Sequence, residues 1–185
     1  MLDKAISCGK LWDIDCSGSI AENQRWVLSA MQHYGHELIT MLWRILGNEQ
    51  DVCDVYQDTF LQLAHYEGGQ KPKYIKAYIF RAATNVAISM LRSRIAERKR
   101  ISKSVSYSSV AQSPVKELDS KYMQENLRES IAQLPEFLRN VITLRDLGGL
   151  SYAEISRILG ISSGTARVYR CKAIHLLAVW MGREE

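Results

Sequence analysis

Little in this chain would hold it together covalently or around a metal. Four cysteines occur in 185 residues, Cys8, Cys16, Cys53 and Cys171, with no C-x-x-C pair and no regular spacing. That pattern excludes a disulfide framework and a cysteine-zinc site, and it fits free thiols in a reducing compartment. His33 and His36 are three apart, yet no cysteine lies near them to complete a metal site. Acids and histidines are scattered, and no glycine-rich phosphate loop or triad-like spacing occurs, so neither a cofactor nor an enzyme is expected. No apolar run approaches the ~20 residues needed to cross a bilayer. Asp3, Lys4, Lys10, Asp13 and Asp15 interrupt the start of the chain, which therefore lacks the apolar core of a signal peptide. A cytoplasmic location is the expectation. Alternation of apolar and polar residues never persists, which leaves helices as the only regular elements.

What remains is a helical chain with unevenly placed charge. Hydrophobic residues make up 46% and charged residues 24%, and the net charge is only +4. From Lys71 to Lys103, however, ten basic residues stand against the single acid Glu97. A cluster of that kind is an electrostatic footprint for nucleic acid or another polyanion. A second asymmetry lies near the end: no acid occurs from Ser162 to Gly182.

That acid-free segment belongs to the most informative stretch, Leu150 to Tyr169. Ile155, Ile158 and Leu159 form the inner stripe of one short helix, and Gly160 stops it. Ile161 anchors a turn, and Ser162 or Ser163 caps a second helix with Ala166, Tyr169 or Arg170, Ala173 and Leu177 on its inner side. Two short helices across a tight glycine turn are the arrangement that lays the second helix in a DNA major groove. Its outward residues include Gly164, Arg167, Val168, Cys171, Lys172 and His175, and Arg167, Arg170 and Lys172 make the helix purely basic, as phosphate contact requires.

Helical periodicity marks further segments: about Ala21 to Leu46, where Gly35 is a potential break; Asn48 to about His65; and Tyr74 to Arg98. Glu67 to Pro72 reads as a loop. Ile101 to Ser120 holds seven serines and Pro114, the composition of a linker. A last helical block starts near Lys121, with Pro135 opening a helix. The expected architecture is all-α: an N-terminal extension (1–22), partly mobile; a helical domain (23–100); a flexible linker (101–120) reaching about 25 Å as a coil; and a helix-turn-helix domain (121–185).

Three blocks carry a family resemblance. Asp51 to Leu63, Ala77 to Ile88, and Leu134-Pro135-Glu136 through Val141 to Tyr152 resemble bacterial extracytoplasmic-function (group IV) sigma factors, over roughly residues 24–181. The resemblance implies an RNA polymerase specificity subunit with two helical domains, the first opening the −10 promoter element and the second reading the −35 element. It implies that Asp51, Asp54, Gln57 and Asp58, an acid and amide face, dock on core RNA polymerase. Lys76, Arg81, Asn85 and Arg92 would serve the melted −10 strand, Asn85 beside the pocket of an extruded base, with Tyr74, Tyr78 and Phe80 interleaved among the cations. By helical spacing Tyr78 and Ile79 are core candidates. Arg167, Val168, Cys171 and Lys172 would face −35 bases and phosphates, with Tyr152 and Thr165 on the backbone and Arg167 the leading base reader. An anti-sigma partner is implied too. Two other readings stay open: a LuxR-type regulator, although residues 1–100 show neither a phosphoacceptor domain nor an autoinducer pocket, and a helical adaptor that binds protein only.

Overall fold

The computed structural model describes residues 25–64, 72–104 and 116–182; the N-terminal extension, the loop from 65 to 71 and the centre of the expected linker, 105–115, lie outside the described residues. Seven α-helices and one π-helical turn make up the described chain, and no strand occurs among them. The helices are α1 (Arg25–Leu46), α2 (Glu49–Ala64), α3 (Ile75–Ser104), α4 (Lys116–Gln133), α5 (Glu136–Ile142), α6 (Tyr152–Leu159) and α7 (Ser163–Met181); the π-helical turn Thr143–Leu147 continues α5.

Local chemistry sets the boundaries. Asn48 opens α2 by accepting from the Asp51 backbone N–H at 2.9 Å and donating to the Asp51 carboxylate at 2.7 Å. Ser151 and Glu154 form a reciprocal capping box on α6. The left-handed backbone of Gly160, φ 67°, ends α6, and the Ser162 hydroxyl then accepts from Thr165 N–H at 3.0 Å to start α7. Gly35 does not break α1: it is buried inside the continuous helix.

Helices α1, α2 and α3 pack on one another, and α4 to α7 on one another, but their cores do not end there. One apolar cluster joins Leu38, Met41, Leu42, Val55, Ile79 and Phe80 to Val141, Leu144, Leu150, Ile155, Ile158 and Ala166. The N-terminal and C-terminal halves thus share a core. A smaller cluster of Ile131, Leu134, Ile142, Ala173 and Leu177 holds α4, α5 and α7 together.

The seam is tight at Gly148. A Cβ there would lie 2.8 Å from the Leu144 carbonyl oxygen, 2.9 Å from Leu150 Cδ1 and 3.1 Å from Met41 Sδ, so both backbone and the opposite half exclude it. At Gly164, on exposed α7, the nearest atom would be 3.6 Å away. Gly148→Ala is expected to lower the unfolding free energy by an overpacking cost of about 1–3 kcal/mol, whereas Gly164→Ala should raise it by up to about 1 kcal/mol through helix propensity. Equal effects of the two substitutions in equilibrium unfolding would contradict the packing described.

Candidate nucleic-acid interface

The two halves present their cations in opposite ways. On α7, Arg167, Val168, Cys171, Lys172 and His175 are exposed on one face with no acid beside them in the helix. Thr165 is half-buried, its hydroxyl 2.9 Å from that of Ser162. Arg170 departs from the sequence expectation. Its guanidinium makes a forked pair with Asp146 at 2.7–3.1 Å, so it ties α7 to the π-helical turn and is not offered to phosphate. Hydrogen bonding to Asp146 outweighs the slight burial and raises the guanidinium pKa further above its ordinary value.

Tyr152, the first residue of α6, sits at the centre of this half. The Arg145 guanidinium lies over its ring at 4.8 Å from the centroid and that of Arg167 at 5.1 Å. Arg145 also donates to the Leu150 carbonyl at 2.8 Å. Sequence reasoning missed Arg145 and Asp146, because nothing in their spacing ties them to α6 or α7.

On α3, Arg81 and Arg92 are exposed, yet each lays one N–H on the C-terminal half. Arg81 donates to the Ile158 carbonyl at 3.2 Å and Arg92 to the Ala132 carbonyl at 3.1 Å. From α1, Arg44 donates to the Leu147 carbonyl at 2.8 Å. Each acceptor lies in the last turn of its element (α6, α4 and the π-helical turn), where carbonyls have no helical partner and the helix dipole favours a cation. The buried Arg139 converges on the same end of α4, donating to Leu134 O at 3.0 Å; burial, and then the Arg92 charge, lower its pKa.

Lys76 completes the seam. Its ammonium lies 2.8 Å from Glu37 of α1 and 3.2 Å from Glu154 of α6. Burial works against the Lys76 charge, but the hydrogen bonds to Glu37 and Glu154 prevail and raise its pKa. For Glu154 burial is likewise overcome, by the Ser151 hydroxyl and backbone N–H and by Lys76, and its carboxyl is held below the ordinary range.

Asn85 stands apart from these three cations. It is exposed and lines an open groove of 560 Å³ between α2 and α3 with Asp58, Gln62, Ser89 and Ser93. Of the interleaved aromatics, Tyr74 is exposed and Lys73 and Arg157 lie over its ring. Phe80 is fully buried and unavailable for stacking, whereas Tyr78, a core candidate by spacing, is 38% exposed; Ile79 is buried as expected. On α2, Asp54, Gln57 and Asp58 form an outward stripe. Asp51 does not join it, because its carboxylate pairs with Arg94 of α3. Leu61, half-exposed, extends the stripe by one turn and escaped the charge-based reading.

An all-helical protein with an acid-free recognition helix on a capped helix-turn-helix defines the class: a DNA-binding protein with a second, cation-bearing helical half. Residues 20–96 match the family model described as Sigma-70 region 2, and residues 124–176 that described as Sigma-70, region 4. The chain belongs to the sigma-70 family, both regions being present in family order. It is 28% identical over 156 residues to the ECF RNA polymerase sigma factor SigE of Mycolicibacterium smegmatis, covering 83% of this chain and 60% of that protein. With the ECF RNA polymerase sigma-E factor of Salmonella typhimurium it shares 29% identity over 157 residues, covering 75% and 78%. The fold is similar to that of CnrH, solved in complex with the cytosolic domain of CnrY: TM-score 0.57, 21% identity, covering 89% of this chain and 92% of that one. Among the described residues no helix is long and apolar enough to cross a membrane.

The Glu154 carboxylate, held by Ser151 and then by Lys76, has a definite pH signature. A depressed carboxyl stabilises the fold above its unfolded pKa, about 4.3, and that contribution is lost as pH falls through the lower folded value. Wild type should therefore be more stable than Glu154→Gln at pH 7, by up to about 1 kcal/mol for a partly exposed pair. The gap in urea midpoint should close below about pH 4. A gap that is constant from pH 7 to pH 3 would contradict this anchoring of the carboxylate by Ser151 and Lys76.

Proposed function

We infer that this chain is an alternative sigma factor of the extracytoplasmic-function, group IV kind, which binds core RNA polymerase and directs promoter-specific initiation. One observation carries the reading: an acid-free recognition helix and a cationic α3 occur in one chain that matches both sigma-70 regions in order. The helical part up to the end of α3 acts as the region 2 unit and that from α4 onward as the region 4 unit; the connection between them is shorter than the expected 101–120, because α3 runs to Ser104 and α4 starts at Lys116. Asp54, Gln57 and Asp58 dock on a basic surface of the polymerase, since DNA would repel them. Arg167, Val168, Cys171 and Lys172 read the −35 duplex while Tyr152 and Thr165 contact its backbone. Asn85 offers its amide to an unpaired −10 base from the α2–α3 groove.

Lys76, Arg81 and Arg92 are occupied by the C-terminal half in the closed chain. DNA entry then requires an exchange: phosphate oxygens replace Glu154 and the carbonyls of Ile158 and Ala132. An anti-sigma partner would act by preventing that exchange. The chain itself performs no bond-making step; nucleotide chemistry belongs to the polymerase, in the cytoplasm.

In vitro transcription with bacterial core polymerase and a promoter library tests the reading. The chain should confer initiation at templates sharing a −35 and a −10 element. Asp54→Lys with Asp58→Lys should abolish binding to core polymerase, and Asn85→Ala should lower open-complex formation more than closed-complex binding, by about tenfold for one lost base contact of 1–3 kcal/mol. A chain that joins core polymerase and starts transcription nowhere would overturn the reading.

A further inference from the structure

Arg167 is exposed on α7, and an exposed arginine samples many rotamers, each of which is lost when it fixes on a base pair. In this structure its guanidinium is already placed, over the Tyr152 ring at 5.1 Å. The ring itself has little freedom. Tyr152 directly follows Ser151, whose capping box with Glu154 fixes the start of α6. A second guanidinium, that of Arg145, lies over the same ring at 4.8 Å and is anchored by its hydrogen bond to Leu150 O. The Arg170–Asp146 fork pins α7 against the π-helical turn that carries Arg145. The elements around the ring are thus tied to one another, and of the two guanidinium groups over it Arg167 is the exposed one while Arg145 is half-buried.

We propose that Tyr152 is a positioning residue for promoter selectivity: its ring holds the Arg167 guanidinium plane in the orientation that reads a −35 base pair. This role is separate from the backbone contact proposed above for Tyr152, and it rests on the reading of α7 as the −35 helix. A cation over an aromatic face at an exposed site alters an equilibrium about two- to fivefold. The ring supplies that bias whether or not its hydroxyl is present. Removing the ring costs selectivity at one base pair, whereas removing the hydroxyl alone weakens binding evenly across sequences.

The test is a binding profile of the full chain assembled with core polymerase, over promoters carrying each single substitution in the −35 element. The chains compared are wild type, Arg167→Ala, Tyr152→Leu and Tyr152→Phe. Arg167→Ala should flatten the preference at one position. Tyr152→Leu should weaken the preference at that same position by about two- to fivefold and leave the others unchanged, and Tyr152→Phe should retain it. If Tyr152→Leu leaves that position alone, or lowers affinity equally for every promoter, the positioning role is overturned while the α7 reading stands. If Arg167→Ala alters no position, the assignment of Arg167 as a reader fails, and the positioning role with it. Tyr152→Met, unbranched and of similar reach, takes the place of the leucine variant should that variant fail to melt cooperatively.

Discussion

Carbonyls left unpaired at the ends of helices bind the two halves of this molecule. Arg44, Arg81 and Arg92 of the N-terminal half each reach one such carbonyl, at the ends of the π-helical turn, α6 and α4. Arg128 of α4 answers in the other direction, donating to Arg44 O at the end of α1 at 3.3 Å. A guanidinium on a helix C-terminus satisfies an orphan acceptor and complements the helix dipole together. Hydrogen bonds of this charged kind contribute about 1.5–3 kcal/mol each when shielded, and less where water competes. They frame an apolar seam that runs from Met41 and Phe80 to Leu144, Ile155 and Ile158.

The same side chains have a second use. A phosphate oxygen is a better partner for a guanidinium than a neutral carbonyl, because it brings a full charge and bidentate geometry. In the proposed function, nucleic acid delivered by polymerase outcompetes these contacts. Lys76 follows the same logic, with Glu154 as its placeholder. The −35 half needs no comparable exchange, because Arg167 and Lys172 already face outward on α7. In the proposed function the chain meets duplex DNA through α7, while Lys76, Arg81 and Arg92 each keep one contact with the C-terminal half until a strand replaces it.

Much of this was legible in the sequence. Periodicity located α1, α2 and α3, and Ser162, one of two candidate caps, announced α7 because a capping side chain acts within three residues of itself. The turn at Gly160 was equally local. The seam was not legible, since a backbone carbonyl acceptor has no residue identity and a serine-rich linker suggests separation. Arg170 read as a free phosphate ligand because its partner Asp146 is 24 residues away. Phe80 and Tyr78 exchanged roles for a different reason. Helix α3 packs against α1, α2 and α6 at once, so its buried face is wide, taking in Ile79, Phe80, Ala83, Ala87 and Leu91, and a single stripe drawn through it is out of phase at the margin. In the candidate interface, the α7 face emerged from the lack of acid alone, but the Arg145–Tyr152–Arg167 stack required the fold.

The distance between the halves tests the account most directly. Spin labels at His33 of α1 and Ala178 of α7, both exposed, can be placed in a chain whose native cysteines are replaced by serine. The account predicts one short, narrow distance in the isolated chain and a longer one once the chain sits on core polymerase with promoter DNA. An unchanged distance in the transcribing complex would contradict it, since Lys76, Arg81 and Arg92 would then remain against the C-terminal half while the strand opens.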